Sequence, residues 1–117
     1  MPRFVILIHD HPVLHWDFLL EDGDRCRAWR LTLDPGESIN QIPALELPDH
    51  RSLYLNYEGP VSGGRGTVTR WDFGAFNWQV NEPDLCEVLM TGNHWRGRVQ
   101  MQRVDESTWT YVRFPSP

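Results

Sequence analysis

His9, His15 and Asp17 are the residues of this sequence whose types and spacing most readily do chemistry. They fall in one short stretch, His9-Asp10-His11-Pro12-Val13-Leu14-His15-Trp16-Asp17, which holds three of the chain's five histidines. Residues two apart on a strand point to the same face, so His15 and Asp17 share one. His9 comes within reach of that face if the segment before it pairs with the segment after. Two imidazoles and a carboxylate then converge with coordination positions left open. This mixed nitrogen and oxygen set suits Mn2+, Fe2+ or Zn2+. An ion with an open position can polarise a phosphoryl oxygen or activate water. The competing reading of the same spacing is a surface hairpin whose histidines sit in water or hydrogen-bond locally. His11, beside Pro12, is assigned to the turn, and Asp10 either orients His9 or opens that turn.

Positioning such a cluster requires paired strands, and the rest of the chain reads that way. Its 117 residues suit a single domain spanning 1–117, long enough to bury a core without disulfides or a structural metal. With 40% hydrophobic residues and six Trp, five Phe and three Tyr, the composition is that of a globular protein. Nine Gly and nine Pro interrupt it at short intervals, leaving no long stretch with a helical apolar period. The spans Phe4–Ile8, His15–Glu21, Arg25–Leu33 and Ala44–Leu47 read as strands, with Ser52–Tyr57 a further candidate. Thr67–Asp72 and Phe76–Val80 read as a hairpin turning near Gly74, and Cys86–Thr91, Trp95–Val104 and Thr108–Phe114 as the last three strands. Asp22-Gly23 and Asp34-Pro35-Gly36 are turns, and residues 59–66 form a Gly/Pro loop. The expected fold is all-β, a small closed or partly closed antiparallel barrel of about eight or nine short strands. Helix is expected at most as a short turn near Ile39–Ile42 or Asp84.

Charge and composition narrow the function classes. The net charge is −5, and all 11 basic residues are arginine. A generic nucleic-acid binder is usually basic, so any anion must be met by arginine, histidine, backbone N–H or a metal. Cys26 and Cys86 form no CxxC pair and read as buried free thiols of a reducing compartment. The apolar run Phe4–Ile8 is too short to span a membrane and lacks the layout of a signal peptide. A soluble, cytoplasmic monomer is expected.

The run from His9-Asp10 through Leu14-His15-Trp16-Asp17-Phe18-Leu19-Leu20-Glu21 resembles the signature of the 3′-phosphoesterase domain of DNA ligase D. In that family a His-Asp pair precedes Leu-His-Tyr-Asp-Phe-Arg-Leu-Glu. Similarity continues in order through Ala28-Trp29, Leu33-Asp34-Pro35-Gly36, Pro48-Asp49-His50 with Tyr54, and Tyr57-Glu58-Gly59. Gly66-Thr67-Val68, Trp71-Asp72 with Gly74, Trp95-Arg96-Gly97-Arg98 and Trp109–Val112 complete it. The resemblance implies a β-barrel carrying a divalent metal, usually Mn2+ with Zn2+ or Co2+ as alternatives, held by His9, His15 and Asp17. It implies His50 as a catalytic residue at the phosphate and Tyr54 as a hydrogen-bond donor to it. It implies removal of a 3′-phosphate or 3′-terminal ribonucleoside from DNA or RNA–DNA 3′ ends. A DNA ligase or other end-joining proteins are the implied partners.

Three departures touch the phosphate. Leu19 stands where the family has arginine, Leu7 where it has glutamine, and a second phosphate-facing arginine falls near Ile42. Either Arg30, Arg51 or Arg65 supplies the missing charge, or the chain is a catalytically weakened metal-binding module that binds a nucleotide, DNA end or repair partner. A bidentate arginine–phosphate pair has no substitute in leucine.

Overall fold

The computed structural model describes residues 1–36 and 41–115. Its strands are β1 (Arg3–His9), β2 (His15–Asp22), β3 (Arg25–Leu31), β4 (Gln41–Arg51), β5 (Gly59–Pro60), β6 (Thr67–Asn81), β7 (Leu85–Gly92), β8 (Arg96–Arg103) and β9 (Thr108–Pro115). All pairings are antiparallel, in the order β1-β2-β3-β4-β9-β8-β7-β6. β6 pairs back onto β1, so eight strands close into a barrel, and β5 adds a short strand to β6. The all-β barrel expected from the strand spacing is the observed fold. No helix among the described residues is long and apolar enough to cross a membrane.

Strand alternation divides the apolar residues into two layers. Phe4, Ile6, Phe18, Leu20, Trp29 and Trp109 belong to a core fed by all eight barrel strands, which therefore fills the interior. Their neighbours Val5, Leu7 and Leu19 point the other way, into a second layer with Cys26, Ala28, Leu55 and Val68. β1 and β2 are thus buried on both faces. This explains why their middles read as unbroken apolar runs and not as alternation. Tyr54, Tyr57 and Val61 pack against the second layer from outside the wall. Each large side chain so removed from water contributes roughly 1.5–3 kcal/mol.

That outer layer accounts for one difference from the sequence reading. Ser52–Tyr57 is not a strand: Ser52–Leu55 forms a 3-10 turn, closed by a hydrogen bond from the Asn56 amide to the Leu53 carbonyl. The turn delivers Leu55 to the apolar layer, where an extended segment would carry it past. A second difference is at Gly74. No turn occurs there, and β6 runs unbroken from Thr67 to Asn81. Gly74 pairs with Phe4 on one side and Gly92 on the other, and a Cβ on it would collide with the Thr91 carbonyl. The glycine serves close approach between strands. β4 also extends beyond Ala44–Leu47, through both Pro43 and Pro48. The helical turn expected near Ile39–Ile42 lies partly outside the described residues, and Gln41 and Ile42 belong to β4.

Asp72 is fully buried, and its carboxylate organises the β7–β8 connection. Oδ1 accepts the amides of His94 (2.8 Å) and Phe73 (2.9 Å), and Oδ2 accepts that of Trp95 (3.1 Å). Replacing Asp72 with alanine leaves three N–H groups without an acceptor. The variant should lose on the order of 3 kcal/mol of stability, read as a lower urea midpoint; an unchanged midpoint would show that the loop finds other acceptors. Cys26 and Cys86 are free and buried, and burial pushes both thiols up to about 11. They are protonated at neutral pH and poor nucleophiles.

Candidate metal centre

The β1–β2 ladder sets His9 directly opposite His15 and Leu7 opposite Asp17. One donor atom from each of His9, His15 and Asp17 lies within 4.8 Å of the others. His9 Nδ1 is 3.1 Å from Asp17 Oδ2, and His15 Nε2 is 3.1 Å from Asp17 Oδ1. His15 and Asp17 are 2% and 4% exposed, while His9 sits nearer the opening. Burial pushes the Asp17 carboxyl up, but His15 and His9 beside it outweigh that and hold it below the ordinary carboxylate range. It is an anion throughout the neutral range.

The outer nitrogens of both imidazoles fix which nitrogen faces the carboxylate. His9 Nε2 lies 2.8 Å from the Arg65 carbonyl, and His15 Nδ1 lies 2.8 Å from the Val13 carbonyl. A carbonyl only accepts, so those two nitrogens carry the protons. His9 Nδ1 and His15 Nε2 are the nitrogens turned toward the Asp17 carboxylate; each donates to it when protonated and is open to ligate an ion when not. This is the arrangement that orients metal-ligating histidines, one ring nitrogen donating to a carbonyl and the other free to ligate. His15 Nε2 and Asp17 Oδ1 are buried without a properly aligned hydrogen-bond partner among the described residues. Such orphaned polar atoms are costly unless something pairs them. The three residues fit a divalent cation, which would satisfy both at once.

The glycine loop at residues 61–66 belongs to the same construction. The Thr67 amide donates to Asp10 Oδ1 (2.7 Å), and the Val61 amide to the Gly66 carbonyl (2.8 Å). Gly66 has φ +77, and a Cβ there would strike Asp10 and His11. Asp10 thus anchors the loop whose Arg65 carbonyl holds His9. Loop, Asp10 and His9 form one connected unit.

His50 reaches the site through a bulge in β4. Leu47 pairs with Ala28 and His50 with Cys26, so two residues, Pro48 and Asp49, stand opposite Arg27 alone. Three apart on a regular strand, Leu47 and His50 would face opposite sides; the bulge puts them on the same side, as Ala28 and Cys26 are. With it, Leu47 packs on the outer apolar layer and His50 lines a cleft with His9, Asp17 and Tyr54. The cleft measures about 370 Å³, and Arg25, Arg51 and Arg65 also line it. The His50 Nδ1–H donates to the Pro48 carbonyl (2.9 Å), leaving Nε2 free, and the Tyr54 ring stands edge-on to the imidazole at 6.0 Å between centroids. A second cleft of about 300 Å³ shares His9, Asp17, Pro48, His50 and Arg65 with the first. Its own walls carry Arg30, Leu47, His11 and Pro12. His11 stands apart from the ligand group, as expected of a turn residue.

The family-polar positions fall in three different environments. Leu7 lines the larger cleft. Leu19 is fully buried in the outer apolar layer. Ile42 lies in the barrel interior, so no residue there faces the cleft. The expectation of a phosphate-facing position near Ile42 is corrected, because the bulge at Pro48-Asp49 shifts by one any count of faces back from His50. Sequence reasoning also missed Arg25, which pairs with Arg51 across the β3–β4 ladder and donates to the Asp49 carbonyl (3.0 Å). Its position after the Asp22-Gly23 turn gave no signal that β4 extends that far. Leu19→Arg should destabilise the fold by several kcal/mol, because a guanidinium would enter an apolar layer with no partner. Chemical denaturation checks this; a variant as stable as the parent would show that position 19 opens onto the cleft.

Comparison with known proteins matches the sequence to a family. The family model for the DNA Ligase D 3′-phosphoesterase domain matches residues 8–113. A curated relative is the Multifunctional non-homologous end joining protein LigD of Pseudomonas aeruginosa, 32% identical over 81 residues. The match covers 63% of this chain and 9% of that relative, so the chain corresponds to a small part of the larger protein.

Proposed function

The chain belongs to the DNA ligase D 3′-phosphoesterase domain family, and from that premise we propose that it is a divalent-metal-dependent phosphoesterase acting on nucleic-acid 3′ ends. The reaction in this reading removes a 3′-phosphate or a 3′-terminal ribonucleoside. The observation that carries it is the pair of buried atoms without an aligned hydrogen bond, His15 Nε2 and Asp17 Oδ1, the second belonging to a residue that lines the same cleft as His50. His9, His15 and Asp17 would hold a divalent ion, Mn2+ foremost and Zn2+ or Co2+ as alternatives, which would supply fixed positive charge to polarise a phosphoryl oxygen.

The remaining work falls to the cleft's side chains. His50, with its Nδ1–H committed to Pro48, would act through Nε2–H of its imidazolium form, donating to the phosphoryl group or passing that proton to the leaving oxygen. Tyr54 donates its hydroxyl to a phosphoryl oxygen. Arg51 and Arg65 place positive charge on the wall, offsetting the absence of arginine at Leu19. The substrates in this reading are DNA or RNA–DNA 3′ ends, with a DNA ligase or other end-joining proteins as partners.

The test is incubation with Mn2+ and two primers, one ending in a 3′-phosphate and one in a 3′-ribonucleotide. Release of phosphate or of the terminal ribonucleoside is expected. Leu19 in an apolar layer favours a second reading, a metal-binding module that holds a 3′ end without cleaving it. Primers that bind but stay intact at high protein concentration would establish that second reading and sink the first.

A further inference from the structure

We infer that the second cleft receives the nucleic-acid strand itself, with Arg30 as the side chain that holds one of its backbone phosphates. The inference rests on the 3′-end phosphoesterase reading and adds to it where the strand lies beyond the reacting group and which side chain holds it. The two clefts meet at His9, Asp17, His50 and Arg65. A phosphoryl group at that junction can send one substituent into each. A terminal phosphate needs one cleft; a strand with its terminal group needs both.

Arg30 is the feature of the second cleft that asks for an anion. It stands directly opposite Asp17 in the β2–β3 ladder, one strand away from the ligand group. Its Nε is buried without a hydrogen-bond partner, and the side chain has no carboxylate or aromatic partner among the described residues. Two other arginines nearby are already engaged. Arg25 donates to the Asp49 carbonyl, and Arg65 donates to the Ser62 carbonyl and hydroxyl. Arg70 shares the unpartnered Nε, but its guanidinium lies over the Phe73 ring at 4.1 Å. A buried donor left unmet is costly, and a phosphate matched to the guanidinium fork removes that cost with two charge-assisted bonds. Pro12 and Leu47 give the cleft an apolar wall for a sugar or base edge. One such contact also suits a chain of net charge −5, which has little basic surface for a longer footprint.

The test is fluorescence anisotropy of Mn2+-loaded protein with a labelled single-stranded oligodeoxynucleotide ending in a 3′-hydroxyl, which carries no group to remove. Affinity is measured across a salt series, with a nucleoside 3′-monophosphate as competitor. Arg30→Gln should weaken strand binding about five- to tenfold and reduce the salt slope by roughly 0.7, the share of one phosphate contact on a single strand. Arg30→Lys should recover part of both, and the mononucleotide's affinity should change less than about twofold because it leaves the second cleft empty. Equal strand affinity and slope in wild type and Arg30→Gln overturn the assignment alone. So does a loss of metal affinity in Arg30→Gln, which would make Arg30 a partner of Asp17. A wild-type protein that cleaves 3′ ends but binds strand no tighter than mononucleotide also overturns only this inference. One that neither binds nor cleaves overturns the proposed function as well.

Discussion

His15→Ala should weaken divalent-metal binding by more than about a hundredfold, beyond the 10- to 100-fold typical of losing an outer partner of a ligand, and should abolish metal-dependent hydrolysis. His15 is the most enclosed of the three proposed ligands, with its Nδ1 proton committed to the Val13 carbonyl and its Nε2 offered to nothing but Asp17's side. Alanine leaves two ligands, too few to hold an ion against water. The same change removes one of the two imidazoles that hold the Asp17 carboxyl low, while the burial that pushes it up remains. In the parent, a depressed Asp17 adds stability that is present above the ordinary carboxylate value of 3.8 and is lost as the pH falls through its folded value. In His15→Ala that contribution shrinks. Calorimetric titration with Mn2+ reads the first effect, and acid unfolding curves with and without chelator read the second. A variant that binds Mn2+ like the parent would show that His15 is a core histidine and not a ligand.

His50→Ala should lower the hydrolytic rate by about 10²- to 10⁴-fold, the range for a positioned acid–base group, with metal affinity within about twofold of the parent. The split follows from geometry. His50 lines the cleft but lies outside the group of three converging ligand atoms. Its loss therefore touches the phosphoryl group and not the ion. Tyr54→Phe should show the same split with a smaller loss, about tenfold, as expected for one hydrogen bond. Single-turnover rates on a 3′-phosphorylated primer, set beside Mn2+ titrations, check both. Equal rates in His50→Ala and parent would assign His50 to the wall of the cleft alone. A collapse of metal affinity would make it a fourth ligand.

What the sequence made legible follows the regular two-residue period of a strand. Period-two spacing put His15 and Asp17 on one face, and the pairing of β1 with β2 then brought His9 across. The barrel itself was readable from short apolar runs between turn residues. What broke the period was not readable. The bulge at Pro48-Asp49 turns His50 toward the site and carries β4 past a proline that reads as a stop. Gly74 looks like a turn because glycine serves both turns and close strand contacts, and only the neighbouring Thr91 carbonyl distinguishes them. Ser52–Leu55 curls because an apolar layer elsewhere in the chain needs Leu55, which no local pattern announces. The proton placement on His9 and His15 depends on backbone carbonyls of Arg65 and Val13, groups that carry no sequence signal at all. Arg30 became distinguishable from Arg51 and Arg65 only through the partner its Nε lacks.

The central claim is that one ion, held by His9, His15 and Asp17, makes this cleft a hydrolytic site. Metal-free protein titrated with Mn2+, with occupancy and cleavage of a 3′-phosphorylated primer followed together, tests it most directly. No cleavage is expected before addition, then a rise in step with occupancy, levelling at a single ion per chain. Undiminished cleavage by metal-free protein, or full occupancy with the primer left intact, would contradict it.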